Sequence, residues 1–336
     1  MDTLILDGSK TENIELCAET IRNGGAVAFP TETVYGLGAN ALDERAVAGV
    51  FAIKGRQEDN PLIVHVASLQ DALPLVKETP DILRPLAEKF WPGPLTLIMR
   101  KSGIIPHNVT AGLNTVAVRV PEHPAALALI RACGCPVAAP SANPSGRPSP
   151  TTAMHVQNDL AGRIRYILDG GDCRVGLEST VLDISGRTPR ILRPGGVTYD
   201  ELTEVLEFVE TFSRSEGEAP RSPGMKYRHY APKAPVTAVL GPPEKTAQYI
   251  ERRMGARSAA LMFDDFELNH PNVVTFGPSR DHTEQAARLF SALRKLDGMD
   301  ISEIYAQTPD EGGLGSAVAN RIKKAAGGFI VDLRGQ

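Results

Sequence analysis

Residues 26–66, AVAFPTETVYGLGANALDERAVAGVFAIKGRQEDNPLIVHV, decide how the chain is read. Ala26 to Phe29 is a short apolar run ending at Pro30, which reads as a strand, and Thr31 to Gly38 is polar and glycine-punctuated, which reads as a loop leaving the strand end. Asp43 is a helix N-cap, Val47, Val50 and Phe51 share one helical face, and Gly55 marks the end, bracketed by Lys54 and Arg56. Leu62 to Val66 is a second apolar strand, closed by a polar residue at His65. Strand, polar loop, basic helix end and strand together are the grammar of an α/β protein with its chemistry at strand ends.

Working outward, Ile14, Cys17, Ala18 and Ile21 recur at helical spacing before Gly24-Gly25, predicting a helix over residues 11–23. Strands are expected at 95–99, 116–120, 137–139, 164–168, 180–184 and 190–192, interleaved with helical patterns at 81–90, 123–132 and 199–210. This interleaving implies a mixed sheet and not a pure βαβ winding. Residues 211–235 are rich in Pro, Gly, Ser and charge and have no apolar period, so they read as a linker. Beyond them, strands at 236–240, 258–263, 272–276, 302–306 and 328–332 alternate with helices at 244–254, 281–296 and 315–326, which predicts a small parallel, Rossmann-like domain. Three parts follow: a catalytic domain over 1–210, a linker over 211–235 and a second domain over 236–336.

Composition narrows the function. With 36 basic and 40 acidic side chains the net charge is −4, so no global positive field draws the chain to nucleic acid or membrane, and a basic site has to be local. Apolar runs are too short to span a bilayer, and the start MDTLILDGSK has no basic region ahead of an apolar core, so a cytoplasmic location is expected. Cys17, Cys133, Cys135 and Cys173 form no zinc-type pair and read as reduced thiols; the seven histidines show no metal-ligand spacing. Gly36-Leu37-Gly38-Ala39-Asn40-Ala41 matches a dinucleotide fingerprint only in letters, since six residues separate it from the preceding strand. There is no Gly-Lys dipeptide for a Walker loop and no G-x-S-x-G elbow. Yet Lys54, Arg56, Arg119 and Arg193 stand at ends of apolar runs, beside hydroxyl-rich loops at Ser141 to Ser145, Ser149 to Thr152 and Glu178 to Thr180. Guanidinium groups converging with small donors and bare backbone N–H groups make a polyanion site without a P-loop.

The motifs as an ordered set resemble the YrdC-like family: Phe29 to Leu37, Lys54-Gly55-Arg56, Asn60 to Val66, Trp91-Pro92-Gly93-Pro94-Leu95-Thr96, Val118-Arg119-Val120-Pro121, Ala139 to Asn143, Glu178 to Val181 and Leu192 to Gly195. The segment Ser222 to Pro232, SPGMKYRHYAP, resembles the hallmark of the two-domain threonylcarbamoyl-AMP synthases. The resemblance implies a YrdC-like mixed twisted sheet with a basic cleft, followed by a Rossmann-like domain. It also implies the joining of L-threonine, bicarbonate or CO2 and ATP into L-threonylcarbamoyladenylate and pyrophosphate, for threonylcarbamoyladenosine modification of tRNA. Thr33, His65, Arg119, Ser179 and the backbone at Ala139 would bind threonine. Arg56, Asn60, Thr115, Ser141, Ser149, Arg193 and Tyr230 would bind ATP. Lys54 and Arg56 would act at the phosphates, and Mg²⁺ would arrive on the nucleotide with no protein cage of its own. Downstream tRNA threonylcarbamoyl transferase proteins are partners the resemblance allows, with tRNA binding not required. Glu32 and Glu178 would fix loop geometry or hold water, and no general base stands out. The linker would fold over ATP as a lid. Two rivals are an RNA-binding module, which 5% aromatic residues and the net charge disfavour, and a carbamoyltransferase, which lacks here the cysteine pairs of related modules.

Overall fold

Eleven strands of the first unit form one mixed sheet because nearly every apolar run of the first two hundred residues finds a ladder partner. The computed structural model describes residues 2–211 and 229–335, so most of the linker, including Lys226 and Arg228, lies outside the described residues. Two compact units emerge: the first comprises residues 1–145, 150–174 and 178–226, and the second residues 146–149, 175–177 and 227–336.

The strands of the first unit are β1 (Leu4–Asp7), β2 (Val27–Phe29), β3 (Gly36–Asn40), β4 (Ile63–His65), β5 (Leu95–Arg100), β6 (Thr115–Arg119), β7 (Val137–Ala138), β8 (Tyr166–Asp169), β9 (Thr180–Asp183), β10 (Arg190–Arg193) and β11 (Glu210–Thr211). Their spatial order is β1-β8-β2-β3-β7-β4-β6-β5-β9-β10-β11, with parallel and antiparallel pairs mixed. The helices are α1 (Thr11–Arg22), α2 (Glu44–Lys54), α3 (Leu69–Ala72), α4 (Leu83–Phe90), α5 (Pro124–Cys133), α6 (Ala153–Leu160) and α7 (Tyr199–Thr203). Asp43 caps α2 as its type predicts, accepting from the N–H groups of Arg45 and Ala46, and Gly55 ends it at φ 62°, where a side chain would be strained.

One face of the sheet is sealed. Val64, Val116, Val118, Leu95, Leu97, Met99 and Leu182 pack against Leu83, Leu86 and Phe90 of α4. On the other half of the sheet, α1 and α5 bury Cys17, Ile21, Leu129 and Ile130 together with Val27 and Leu168. All four cysteines are free, and three of them are buried.

Three local readings change. The polar stretch ending at Gly38 is not all loop: residues 36–40 form β3, antiparallel to β2. A side chain at Gly38 would meet Val137 at 2.6 Å and Phe29 at 2.7 Å, so that glycine marks close packing within a strand. The helix expected over 199–210 stops at Thr203, and residues 210–211 pair with β10 instead. Strand β1 and helices α3 and α6 are additions to the sequence reading; the Thr152 hydroxyl, one of the loop donors, caps α6 by accepting from the N–H of His155.

The second unit has strands β12 (Val236–Leu240), β13 (Ser258–Met262), β14 (Val273–Thr275), β15 (Glu303–Thr308) and β16 (Ile330–Asp332), all parallel in the order β14-β13-β15-β12-β16. Helices α8 (Pro243–Glu251), α9 (His282–Asp297) and α10 (Gly315–Ala326) cover them. Among the described residues no helix is long and apolar enough to cross a membrane.

Candidate active site

The unsealed face of the large sheet carries a row of polar side chains, and ladder register puts them there. His65 of β4 pairs directly with Arg119 of β6. The Leu97–Val118 pairing sets Thr96 of β5 opposite Arg119, Thr96 pairs with Val181 of β9, and Val181 pairs with Arg193 of β10. Directly paired residues project to the same side of a sheet, so His65, Arg119, Thr96 and Arg193 lie along one line across five strands. A bulge between Ile191 and Arg193 completes the row, because a regular strand there would turn Arg193 to the opposite face. Below the row, Ile63, Ala117, Ile98, Val181 and Leu192 form an apolar floor.

Each cation is held by specific acceptors. Arg119 is buried; its Nε donates to the Gly93 carbonyl at 3.2 Å and its Nη1 to the Thr33 hydroxyl at 2.9 Å. Its Nη2 lies 2.6 Å from Glu32 Oε1, an ion-pair contact whose angle falls short of a hydrogen bond. Thr31 gives its hydroxyl proton to the Val34 carbonyl, so at the 2.8 Å Thr31–Thr33 contact the Thr33 hydroxyl is the donor, and its oxygen is left to accept from Arg119. Arg193 donates through Nε and Nη2 to the Ser179 carbonyl and through Nη2 to the Ser179 hydroxyl, which contacts the Thr96 hydroxyl at 2.7 Å.

His65 is buried with its ring edge-on to Phe29 at 6.0 Å, and its Nδ1 has no hydrogen-bond partner among the described residues. Burial, helped by the neighbouring Arg119 charge, pushes its pKa down to about 3, so the imidazole is neutral and keeps an acceptor nitrogen. An unfolded histidine titrates near ~6.5 and therefore binds its proton first as pH falls. The stability due to this group is complete above ~6.5 and is lost as pH falls toward about 3. Urea midpoints measured from pH 7 to 4.5 should fall with pH, and a His65→Gln variant should show a shallower fall; equal slopes would contradict the neutral assignment.

The remaining sequence candidates fall into three places. Lys54 is buried and donates to the carbonyls of Ser141 and Asn143, fastening the end of α2 to the Ser141 loop. The Ser145 N–H returns a bond to the Lys54 carbonyl at 2.9 Å. Arg56 reaches the carbonyls of Asn60 and Pro61, and the buried Asn60 has no partner for its Oδ1 among the described residues. Ala139 gives its N–H to the Ile63 carbonyl at 2.9 Å, beside the His65 end of the row. Thr115 shares the face of Arg119, four residues along β6 and so ~13 Å away at ~3.3 Å per residue. It borders an open cleft of about 640 Å³ that also takes in Lys77, Arg100 and Lys101. Ser149 and Tyr230 belong to the second unit. There Arg294 donates to the Ser149 carbonyl, while the Tyr230 ring packs on Phe290 at 5.3 Å with the Arg321 guanidinium 5.6 Å from its centroid. Thr96 has no role in the sequence reading, although a lone hydroxyl within the apolar run Leu95 to Met99 is a usable signal, and the structure buries it fully. Among the described residues no cluster of three or more His, Cys, Asp or Glu is placed to hold a metal ion.

A row of buried cationic and hydroxyl side chains on a mixed sheet, and a second unit with an all-parallel sheet, define the class, and comparison with known proteins gives the family. Residues 19–195 match the Sua5/YciO/YrdC family model, described as "Telomere recombination", and residues 197–327 match a model described as the C-terminal domain of threonylcarbamoyl-AMP synthase. The chain belongs to the Sua5/YciO/YrdC family and, within it, to the two-unit threonylcarbamoyl-AMP synthases. It is 46% identical to the Pyrococcus abyssi threonylcarbamoyl-AMP synthase over 95% of each chain, and 44% identical to the Bacillus subtilis protein of that name over 95% of this chain and 94% of that one. Crystalline P. abyssi Sua5 complexed with L-threonine superposes with a TM-score of 0.94 at 44% identity, covering 99% of this chain and all of that one.

Proposed function

We propose that the row from His65 to Arg193 is where this chain condenses L-threonine, bicarbonate or CO2 and ATP into L-threonylcarbamoyladenylate and pyrophosphate. The product supplies a threonylcarbamoyl group for modification of tRNA by downstream transferase proteins in the cytoplasm. The single observation that carries the assignment is the placing of Arg119 and Arg193 on one sheet face, with Ser179 and Thr96 between them. Three anionic groups have to meet there: the threonine carboxylate, the carbamate and the triphosphate. Like charges a few Å apart repel by several kcal/mol at an effective dielectric of ~20, so fixed cations are required to hold them in contact.

In this reading Arg119 takes the carboxylate, with Thr33, the neutral His65 and the Ala139 carbonyl around the amino acid and Ser179 between the two substrates. Arg193 neutralises phosphate from the far end of the row. Lys54 acts by shaping the Ser141 loop, and Arg56 and Asn60 frame the nucleotide from the loop before β4. Thr115 marks the outer reach of the nucleotide along β6. Ser149 and Tyr230, both of the second unit, are further expected ATP-binding residues. Mg²⁺ enters as MgATP, since its demand for oxygen ligands is met by phosphates and water. Positioning of this kind lowers a barrier by up to ~7 to 11 kcal/mol.

The test is direct. Protein incubated with ATP, Mg²⁺, bicarbonate and labelled threonine should form a labile labelled adenylate with one pyrophosphate per product. Omitting bicarbonate should abolish both, and pyrophosphate release independent of threonine would overturn the reading.

A further inference from the structure

Glu32 stands beside Arg119, and the assignment above gives its carboxylate no part. Its carboxylate is buried, neither oxygen makes a hydrogen bond among the described residues, and Oε1 lies 2.6 Å from the Arg119 guanidinium. A buried carboxylate normally accepts two or more hydrogen bonds, and leaving it short is costly unless donors arrive from elsewhere. An α-amino acid brings such donors next to a carboxylate. Arg119 and Glu32, side by side, are charge-complementary to a zwitterion.

We propose that Glu32 binds the α-ammonium of the amino-acid substrate while Arg119 binds its carboxylate, and that Glu32 is the base that makes the amine nucleophilic. The inference rests on the threonine reading and deepens it. Glu32 takes one proton from the ammonium, leaving a neutral amine. It passes that proton to bicarbonate, whose hydroxyl departs as water to give CO2. The amine lone pair attacks the CO2 carbon, one C–O π pair moves to oxygen, and the second nitrogen proton goes to Glu32. The sum is ammonium plus bicarbonate giving carbamate, water and one proton, which stays on Glu32 until product leaves. The other ionisable groups facing Glu32 are the Cys173 thiol, whose pKa burial raises, and the His123 imidazole, whose pKa burial lowers. Both are neutral near pH 7 and so leave Arg119 as the charge that Glu32 feels most closely.

The full chain carrying Glu32→Gln should bind L-threonine about 30- to 100-fold more weakly, the scale of one lost charge-assisted contact. Its affinity for the 2-hydroxy counterpart of threonine, which has the carboxylate and no ammonium, should be unchanged or improved, and MgATP affinity should not move. Adenylate formation should fall further than binding does, and the acidic limb of the pH–rate profile should vanish. Glu32→Asp should keep the preference for the amino over the hydroxy ligand, and it reports on the proposal if the Gln variant fails to fold. Equal weakening of both ligands would make Glu32 only a support for Arg119 and overturn the proposal, as would a retained acidic limb. A wild-type chain that forms no threonine-dependent adenylate would instead defeat the function reading itself.

Discussion

Replacing Arg119 by Lys should lower kcat/KM for threonine by about 100- to 1000-fold, with the loss appearing chiefly as weaker threonine binding. All three guanidinium nitrogens are engaged, at the Gly93 carbonyl, the Thr33 hydroxyl and the Glu32 carboxylate. A lysine ammonium is a point charge without the planar fork, so it cannot satisfy these acceptors and a substrate carboxylate together. Two charge-assisted bonds at ~1.5–3 kcal/mol each account for the size of the effect. Arg119→Ala goes further, because breaking a buried pair by removing one partner typically costs ~3–5 kcal/mol through the charge left behind. Calorimetric binding of threonine together with urea unfolding separates the two effects. A Lys variant with near-normal threonine affinity would show that the carboxylate is held elsewhere.

Gly195→Ala should be the most damaging small change in the first unit. A methyl group there would sit 2.4 Å from the Glu178 carbonyl oxygen, the Ser179 carbonyl carbon and the Thr180 nitrogen, all backbone atoms that no rotamer change can move. Relief requires the chain after Arg193 to part from the chain around Ser179, which breaks the bonds holding Arg193 in the row. Overpacking costs ~1–3 kcal/mol in general, and a collision with backbone belongs at the top of that range. Stability should therefore drop by about 3 kcal/mol, and turnover should fall with it because Ser179 and Arg193 both shift. Gly186→Ala, with nothing within 4 Å of the added carbon, is the matched control and should be silent. Equal behaviour of the two variants would mean that the loops give way without consequence.

The sequence legible as periodicity or capping matched the structure closely: α1, α2, β12 and α10 stand within a residue or two of where spacing and caps put them. Glycine carried the ambiguity. At Gly55 it ends a helix, whereas at Gly38 it sits inside a strand, and only the neighbouring Phe29 and Val137 distinguish the two uses. The identity of Arg119 and Arg193 as a pair was legible from their positions in strands. Their common face was not, since it depends on the Thr96 and Val181 registers and on an extra residue in β10. For Lys54, charge suggested a phosphate ligand, but residue type does not reveal that two carbonyls 87 and 89 residues away already claim the ammonium.

The irregularity in β10 carries an implication for how such a protein can be altered. A regular register that paired Leu192 with Val181 would give the sheet a tidier ladder and drive the Arg193 guanidinium among the aliphatic side chains behind it. A designer who polished the backbone here toward ideal geometry would thus take Arg193 out of the row while improving every local measure of strand quality.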